Sequence, residues 1–281
     1  MRGVFRTGKV NRGKNGSGIN GNRAFNLIIG GTLVASVVFA LLLIVSTARY
    51  IRWKHFFDVL LSREILFALK LSLFVSTVAS LIAVSFALPI SYALSRFRFP
   101  GRNIIDTIFD IPIVLSPIAI GAVLLIFFNN TIIGKFVEEH IVRFTFEIPG
   151  IILAQFVVVS ALAVRLLKST FDSIDLRYEG VIRTLGATRF QSLIHVTLPM
   201  AKHGIVGAFI VTWARAIGEF GATLTLAGAT TMKTETLPIA IFLSFAKADV
   251  QQAIIVILIL LSLAIAVLLL IRKLSGEVMT W

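Results

Sequence analysis

The sequence predicts an all-α integral membrane protein with about six transmembrane helices, and three observations predict it. Of 281 residues, 57% are hydrophobic and only 15% charged, with a mean hydropathy of +0.93. That charged share is well below the roughly 25% usual in soluble domains. Apolar runs of about 20 residues recur along the chain, and in hydrocarbon each must be a helix, because no water is there to satisfy stray backbone groups. The net charge of +13 lies mainly in short segments between those runs rather than along one soluble face. It therefore reads as the positive-inside bias of a membrane protein and not as a nucleic-acid surface.

The chain has no cysteine, which removes disulfides, thiolate chemistry and cysteine metal sites. His55, His140, His195 and His203 do not fall at metal-ligand spacing and read as loop or interface residues. No metal site and no catalytic constellation is expected.

Met1 to Asn26 carries six Lys or Arg, no acid, and repeated Gly and Asn. With too few apolar residues to bury, residues 1–26 read as a disordered basic tail ahead of a membrane domain, 27–281. Within the tail, Gly8 to Asn15 imitates a phosphate-binding P-loop. Asn15, however, stands where Ser or Thr would ligand Mg²⁺, and no apolar strand precedes the segment.

Leu27 to Ala48 is the first span, too long for a signal-peptide core and without a small-residue cleavage site. Arg49 to Glu64 is an amphipathic connector, and 65–94 is the second span, with Lys70 near enough to its start to snorkel. Arg96, Arg98 and Arg102 make a basic turn around Pro100-Gly101. The third span, 104–128, carries Pro112 and Pro117, which should kink it. A loop with Glu138, Glu139 and Glu147 leads to the fourth span, 149–167. After the longest polar connection come a fifth span, 204–227, and a sixth, 251–271. With both ends inside, the inner segments hold 16 Lys or Arg and the outer loops 8, and this bias predicts cytoplasmic termini.

Most of the specific information lies between Phe171 and Met200. Ile174, Tyr178, Val181 and Leu185 recur at helical spacing, giving one apolar face to a short helix opened by Asp175 and closed at Gly186. Thr188 and Gln191 fit a capping box for a second short helix, with Phe190, Leu193 and Ile194 on its apolar side and Leu198-Pro199 as its stop. Such a pair in an inner loop suits either partner docking or lying on lipid headgroups.

The run Glu179-Gly180-Val181-Ile182-Arg183-Thr184-Leu185-Gly186-Ala187, followed by Thr197-Leu198-Pro199, resembles the EAA loop of ABC importer permeases. In that family a coupling helix sits in a groove of the ATPase subunit, so the resemblance implies that Tyr178 to Ala187 and Pro199 form the ATPase-coupling loop. Val181 and Ile182 replace two alanines common in the family.

In the fifth span, Arg215 lies about 11 residues beyond Gly204, roughly 17 Å along a helix. A charge at such depth should face a partner, the bundle interior or water. Glu219 is four residues on, so the two can neutralise each other. Alternatively, their face lines a wet pathway in which Arg215 attracts an anion and Gly218 and Gly221 permit close approach. Phe220, Thr223, Pro112 and Pro117 complete the pathway candidates.

Ala214 to Thr223, then Ala227-Gly228 and Thr234-Glu235-Thr236-Leu237-Pro238, resembles the molybdate branch of these permeases, of the type I importer fold. Ala229 stands where the branch commonly has Asn. The resemblance implies a permease subunit for molybdate or tungstate, working as a homodimer with two cytoplasmic ATPase subunits and an extracytoplasmic binding protein. ATP and Mg²⁺ would be bound by the ATPase partner and no cofactor by this chain. A sulfate or thiosulfate permease is the alternative within the class. An ion-coupled secondary transporter would show repeated halves, which the chain lacks, and a membrane enzyme would need clustered titratable residues in its spans.

Overall fold

The computed structural model describes residues 17–49 and 53–276, and every regular element among them is helical. The P-loop imitation and most of the basic tail lie outside the described residues. Two units are distinguished, 1–50 and 51–281. The first contains one helix, α1 (Ser17–Arg49), which starts within the stretch read as tail. Its described side chains are exposed all round, the condition expected of an apolar helix surrounded by lipid.

The second unit is built on α3 (Arg63–Arg96) and α7 (Ile148–Asp172). Ala68, Ser72, Ser76, Ala79, Ala83, Ala87 and Ser91 form a buried stripe of small side chains along α3. Small residues let membrane helices approach closely, where packing rather than water expulsion drives association. Ser91 fixes the pairing by donating to the Val164 carbonyl at 3.0 Å, and Leu71 and Val75 pack beside Ile151. Before α3 comes the short α2 (Trp53–Leu60). Ser62 caps α3 by accepting from the Ile65 amide.

The expected third span is two helices rather than one kinked helix. α4 (Arg102–Val114) and α5 (Pro117–Asn130) meet at 109°. Pro112 lies in the last turn of α4, while Pro117 starts α5 behind the cap Ser116. Proline at a first helical position costs no hydrogen bond, so the chain can restart in a new direction. α4 buries none of its residues and is tied to α7 by charge. Arg165 pairs with Asp106 at 3.0 Å and, in a fork, with Asp110; Lys168 lies 3.6 Å from Asp106.

After α5, α6 (Ile132–His140) ends in a turn held by Glu138, whose carboxylate accepts from the Phe144 amide at 2.7 Å and the Thr145 amide at 2.6 Å. Burial pushes this carboxyl up, but the amide donors pull it down and prevail, leaving it below the ordinary glutamate value. A depressed folded-state pKa gives stabilisation that is full above the ordinary glutamate range and lost as pH falls through the lowered value. Glu138→Gln should therefore lose the pH-dependence of amide protection at Phe144 and Thr145 between about pH 7 and pH 3. Hydrogen exchange measures this, and identical profiles for both proteins would reject the assignment.

The remaining elements are α8 (Leu176–Thr184), α9 (Arg189–Ser192), α10 (Leu198–Ile217), α11 (Gly221–Ala227), α12 (Leu237–Ala246) and α13 (Val250–Gly276). Five helices among the described residues are long and apolar enough to cross a membrane, or six if α4 and α5 count as one bent span. Leu198-Pro199 does not stop a helix. A π-turn, Leu193–Thr197, joins α9 to α10, with the Leu198 amide bonded back to Leu193, so one helical path runs from Arg189 to Ile217. The wider turn makes room for a proline ring that would strike the i−4 carbonyl of a regular helix.

Candidate functional site

The α8–α9 pair is made by strong local signals. Asp175 caps α8, accepting from the Arg177 amide at 2.9 Å. At the other end the Gly186 amide bonds to Arg183 and the Ala187 amide to Ile182, with Gly186 at φ +93°. That is the Schellman ending, in which a glycine takes the left-handed position. Thr188 and Gln191 exchange both bonds of the expected capping box.

The apolar face is not turned into the protein as its periodicity alone would suggest. Ile174 is buried, but Tyr178, Val181 and Leu185 are exposed, Leu185 to 82%. Leu176 is also open, and Phe190 on α9 is 70% exposed. The result is a ridge of large apolar side chains carried on a well-capped scaffold, each able to gain about 1.5–3 kcal/mol on full burial. Gly180 faces open space, so a methyl there would meet nothing in the free chain.

Glu179 does not belong to that ridge. Its carboxylate is buried and accepts from Arg96 Nε at 2.8 Å, Tyr92 Oη at 3.1 Å and Thr197 Oγ1 at 2.9 Å. Arg96 also donates to the Ile174 carbonyl at 3.0 Å, and its side chain is 6% exposed. Tyr92 and Arg96 are in the last turns of α3, and Thr197 is in the π-turn that opens into α10. One carboxylate therefore ties α8 to two long helices at once. Sequence reading missed this network because it joins residues up to 87 positions apart. The available signal was an acidic residue amid four apolar positions of a helix whose outer face otherwise needs none.

The second constellation lies where α10 ends. Since the helix begins at Arg189 rather than near Gly204, Arg215 sits in its last turn, and its depth cannot be counted from Gly204. Arg215 Nη1 donates to Glu219 Oε2 at 2.8 Å. Glu219 is 1% exposed and its other oxygen accepts from the Ala222 amide at 3.0 Å, whereas the Arg215 side chain is 41% exposed. The pair is thus neutralised on one side and open on the other.

Of the two candidate glycines, Gly221 is the close-approach position: a Cβ there would lie 2.9 Å from Ile118 Cγ1, at the start of α5 beside Pro117. Gly218 faces open space. Phe220 is half-buried, its ring centroid 5.6 Å from that of Phe242. Thr223 is fully buried, its hydroxyl without a partner among the described residues. Pro112 lies in the last turn of α4, while Pro117 touches the α10–α11 break through Gly221.

Comparison with known proteins gives this geometry a context. Residues 79–276 match the model of the family described as binding-protein-dependent transport system inner membrane component. A probable molybdenum ABC transporter permease from Haloferax volcanii is 38% identical over 204 residues, covering 73% of each chain. A sulfate transport system permease from Salmonella typhimurium is 30% identical over 229 residues, covering 80% of this chain and 83% of the relative. Among solved structures, a bacterial alginate ABC transporter in complex with its alginate pentasaccharide-bound periplasmic protein has a chain of the same fold. Its TM-score is 0.73 at 18% identity, over 92% of this chain and 97% of that one. A bundle of apolar helices with a capped, outward-facing helical pair before its penultimate long crossing, together with this match over most of its length, makes the chain a member of the binding-protein-dependent ABC importer permease family.

Proposed function

We propose that this chain forms the transmembrane pathway for molybdate or tungstate in an ATP-driven importer. Two copies would assemble with two cytoplasmic ATPase subunits and receive the anion from an extracytoplasmic binding protein. The protein would sit in the cytoplasmic (inner) membrane with both termini inside, as the basic bias of the inner segments suggests. ATP and Mg²⁺ belong to the ATPase subunits, and this chain contributes no catalytic group.

The observation that carries the reading is the exposed ridge Tyr178, Val181, Leu185 and Phe190 on a pair of helices whose base is locked by Glu179. An ATPase groove that buries the ridge gains hydrophobic contact, and closing of the ATPase pair then pulls on α8. The pull reaches α3 through Arg96 and Tyr92, and α10 through Thr197. At the far end of α10, the chain breaks between Ile217 and Gly221, where helix direction can change without straining a regular hydrogen-bond ladder. There Arg215 offers one open cationic face to a dianion, while Glu219 limits how tightly the anion is held, as release demands.

The purified chain, its ATPase and its binding protein in proteoliposomes should accumulate labelled molybdate only with ATP. Arg215→Gln should lower the transport rate at least tenfold while leaving basal ATP hydrolysis within about twofold. Uptake by the chain without an ATPase would overturn the mechanism, and wild-type uptake by the variant would remove Arg215 from the pathway. The sulfate reading, favoured by similarity to the Salmonella permease, predicts that sulfate delivered by the cognate binding protein is carried at least as fast as molybdate.

A further inference from the structure

We propose that the turn between α3 and α4 binds the phosphate-bearing headgroup of an anionic phospholipid, whose acyl chains lie along the outward face of α4. Arg98, Phe99, Gly101, Arg102, Asn103 and Ile104 line a cavity of about 410 Å³. Its lining includes two arginines and no acidic residue. Neither arginine side chain has an ion pair or hydrogen bond among the described residues. The nearby Arg96 differs, donating to Glu179, the Ile174 carbonyl and Ser95 Oγ.

α4 runs from this cavity, and its polarity is inverted relative to a helix on a soluble protein. Asp106 and Asp110 turn inward to Arg165 and Lys168. Ile104, Ile108 and Ile111, at i, i+4 and i+7, form one outward stripe, and each is about half exposed or more. Water is a poor neighbour for such a face and hydrocarbon a good one. From Arg102 to Ile111 the helix rises about 14 Å, so a headgroup at the arginines leaves its chains beside the isoleucines.

Charge selects the occupant. Arginine pairs present forked donors that match phosphate oxygens. Two uncompensated cations favour a lipid with net negative charge over a zwitterionic one, whose ammonium they would repel. The inference rests on the membrane location of the chain and on neither the cargo nor the docking assignment.

The test is native mass spectrometry of the full chain released from nanodiscs of mixed phosphatidylglycerol and phosphatidylcholine. The wild type should retain phosphatidylglycerol selectively. Arg98→Gln combined with Arg102→Gln should reduce that retention about tenfold or more, and Arg98→Lys with Arg102→Lys should keep most of it, showing that charge rather than folding is read. Equal retention by the glutamine variant would overturn the proposal. So would displacement of the lipid by inorganic phosphate alone, which would make the site one for the free anion. Because the chain has no cysteine, Ile108→Cys supplies a single thiol. Efficient disulfide cross-linking between two copies through it would show a second subunit, not lipid, on this face and also overturn the proposal.

Discussion

Replacing Gly186 with valine is expected to abolish ATP-driven uptake, with the chain still inserted in the membrane. Gly186 sits at φ +93° as the left-handed residue that ends α8. A β-branched side chain there costs on the order of 1–3 kcal/mol in backbone strain, and the Schellman bonds from Gly186 and Ala187 would have to break or distort. The turn matters beyond its own stability because it sets the angle between α8 and α9, and hence whether Leu185 and Phe190 form one ridge. Nothing lies within 4 Å of a Cβ at Gly186, so the first side-chain atom meets no clash in the free chain, and a loss of transport larger than the strain explains would point to the docked partner. Gly186→Ala and Gly186→Asn separate the two causes, because asparagine tolerates the left-handed region better than alanine does. Co-purification of the ATPase and nucleotide-dependent uptake are the readouts. If the valine variant assembles and transports normally, α8 is not the coupling element.

The second large effect is expected at Glu179. Glu179→Ala would leave the Arg96 guanidinium in a site where its side chain is 6% exposed, and would strip Tyr92 and Thr197 of their acceptor. Removing one partner of a buried ion pair typically costs about 3–5 kcal/mol, most of it the penalty of the stranded charge. Removing Arg96 as well should therefore recover part of the loss, so Arg96→Ala with Glu179→Ala should unfold at a higher temperature than Glu179→Ala alone. The double variant should nonetheless remain uncoupled, hydrolysing ATP without transport, because the tether from α8 to α3 is gone. Thermal unfolding in detergent and coupled uptake measure the two parts. A double variant less stable than the single one, or one that transports at the wild-type rate, would show that Glu179 and Arg96 neither compensate each other nor transmit force.

How much of this was readable in one dimension depended on the range of the interaction. The caps at Asp175 and Thr188 and the glycine ending at Gly186 were legible because each is written within a few residues, and the structure contains all three. The break in the third span was visible only as two prolines. Proline reports that a helix is disturbed, but the 109° turn depends on what α5 meets next, namely Gly221 and the α10–α11 break. The apolar spacing of Tyr178, Val181 and Leu185 was correct as periodicity, yet periodicity identifies a face without saying what covers it. The reading of Leu198-Pro199 as a stop failed because a π-turn absorbed the proline, a backbone adjustment with no local residue signature.

Composition, run length and short-range caps by themselves determined that this chain is a helical membrane protein with a pair of short, well-capped helices before its penultimate long crossing. These properties follow from solvent preference and from hydrogen bonds spanning a few residues. Only the tertiary structure decided that Glu179 joins α8 to Arg96, Tyr92 and Thr197, that Arg165 clamps α4, and that Gly221 rather than Gly218 is the point of close contact. Each of those outcomes is a meeting of helices distant in sequence, and a buried charge or a missing Cβ acquires its meaning from the neighbour that packing brings to it.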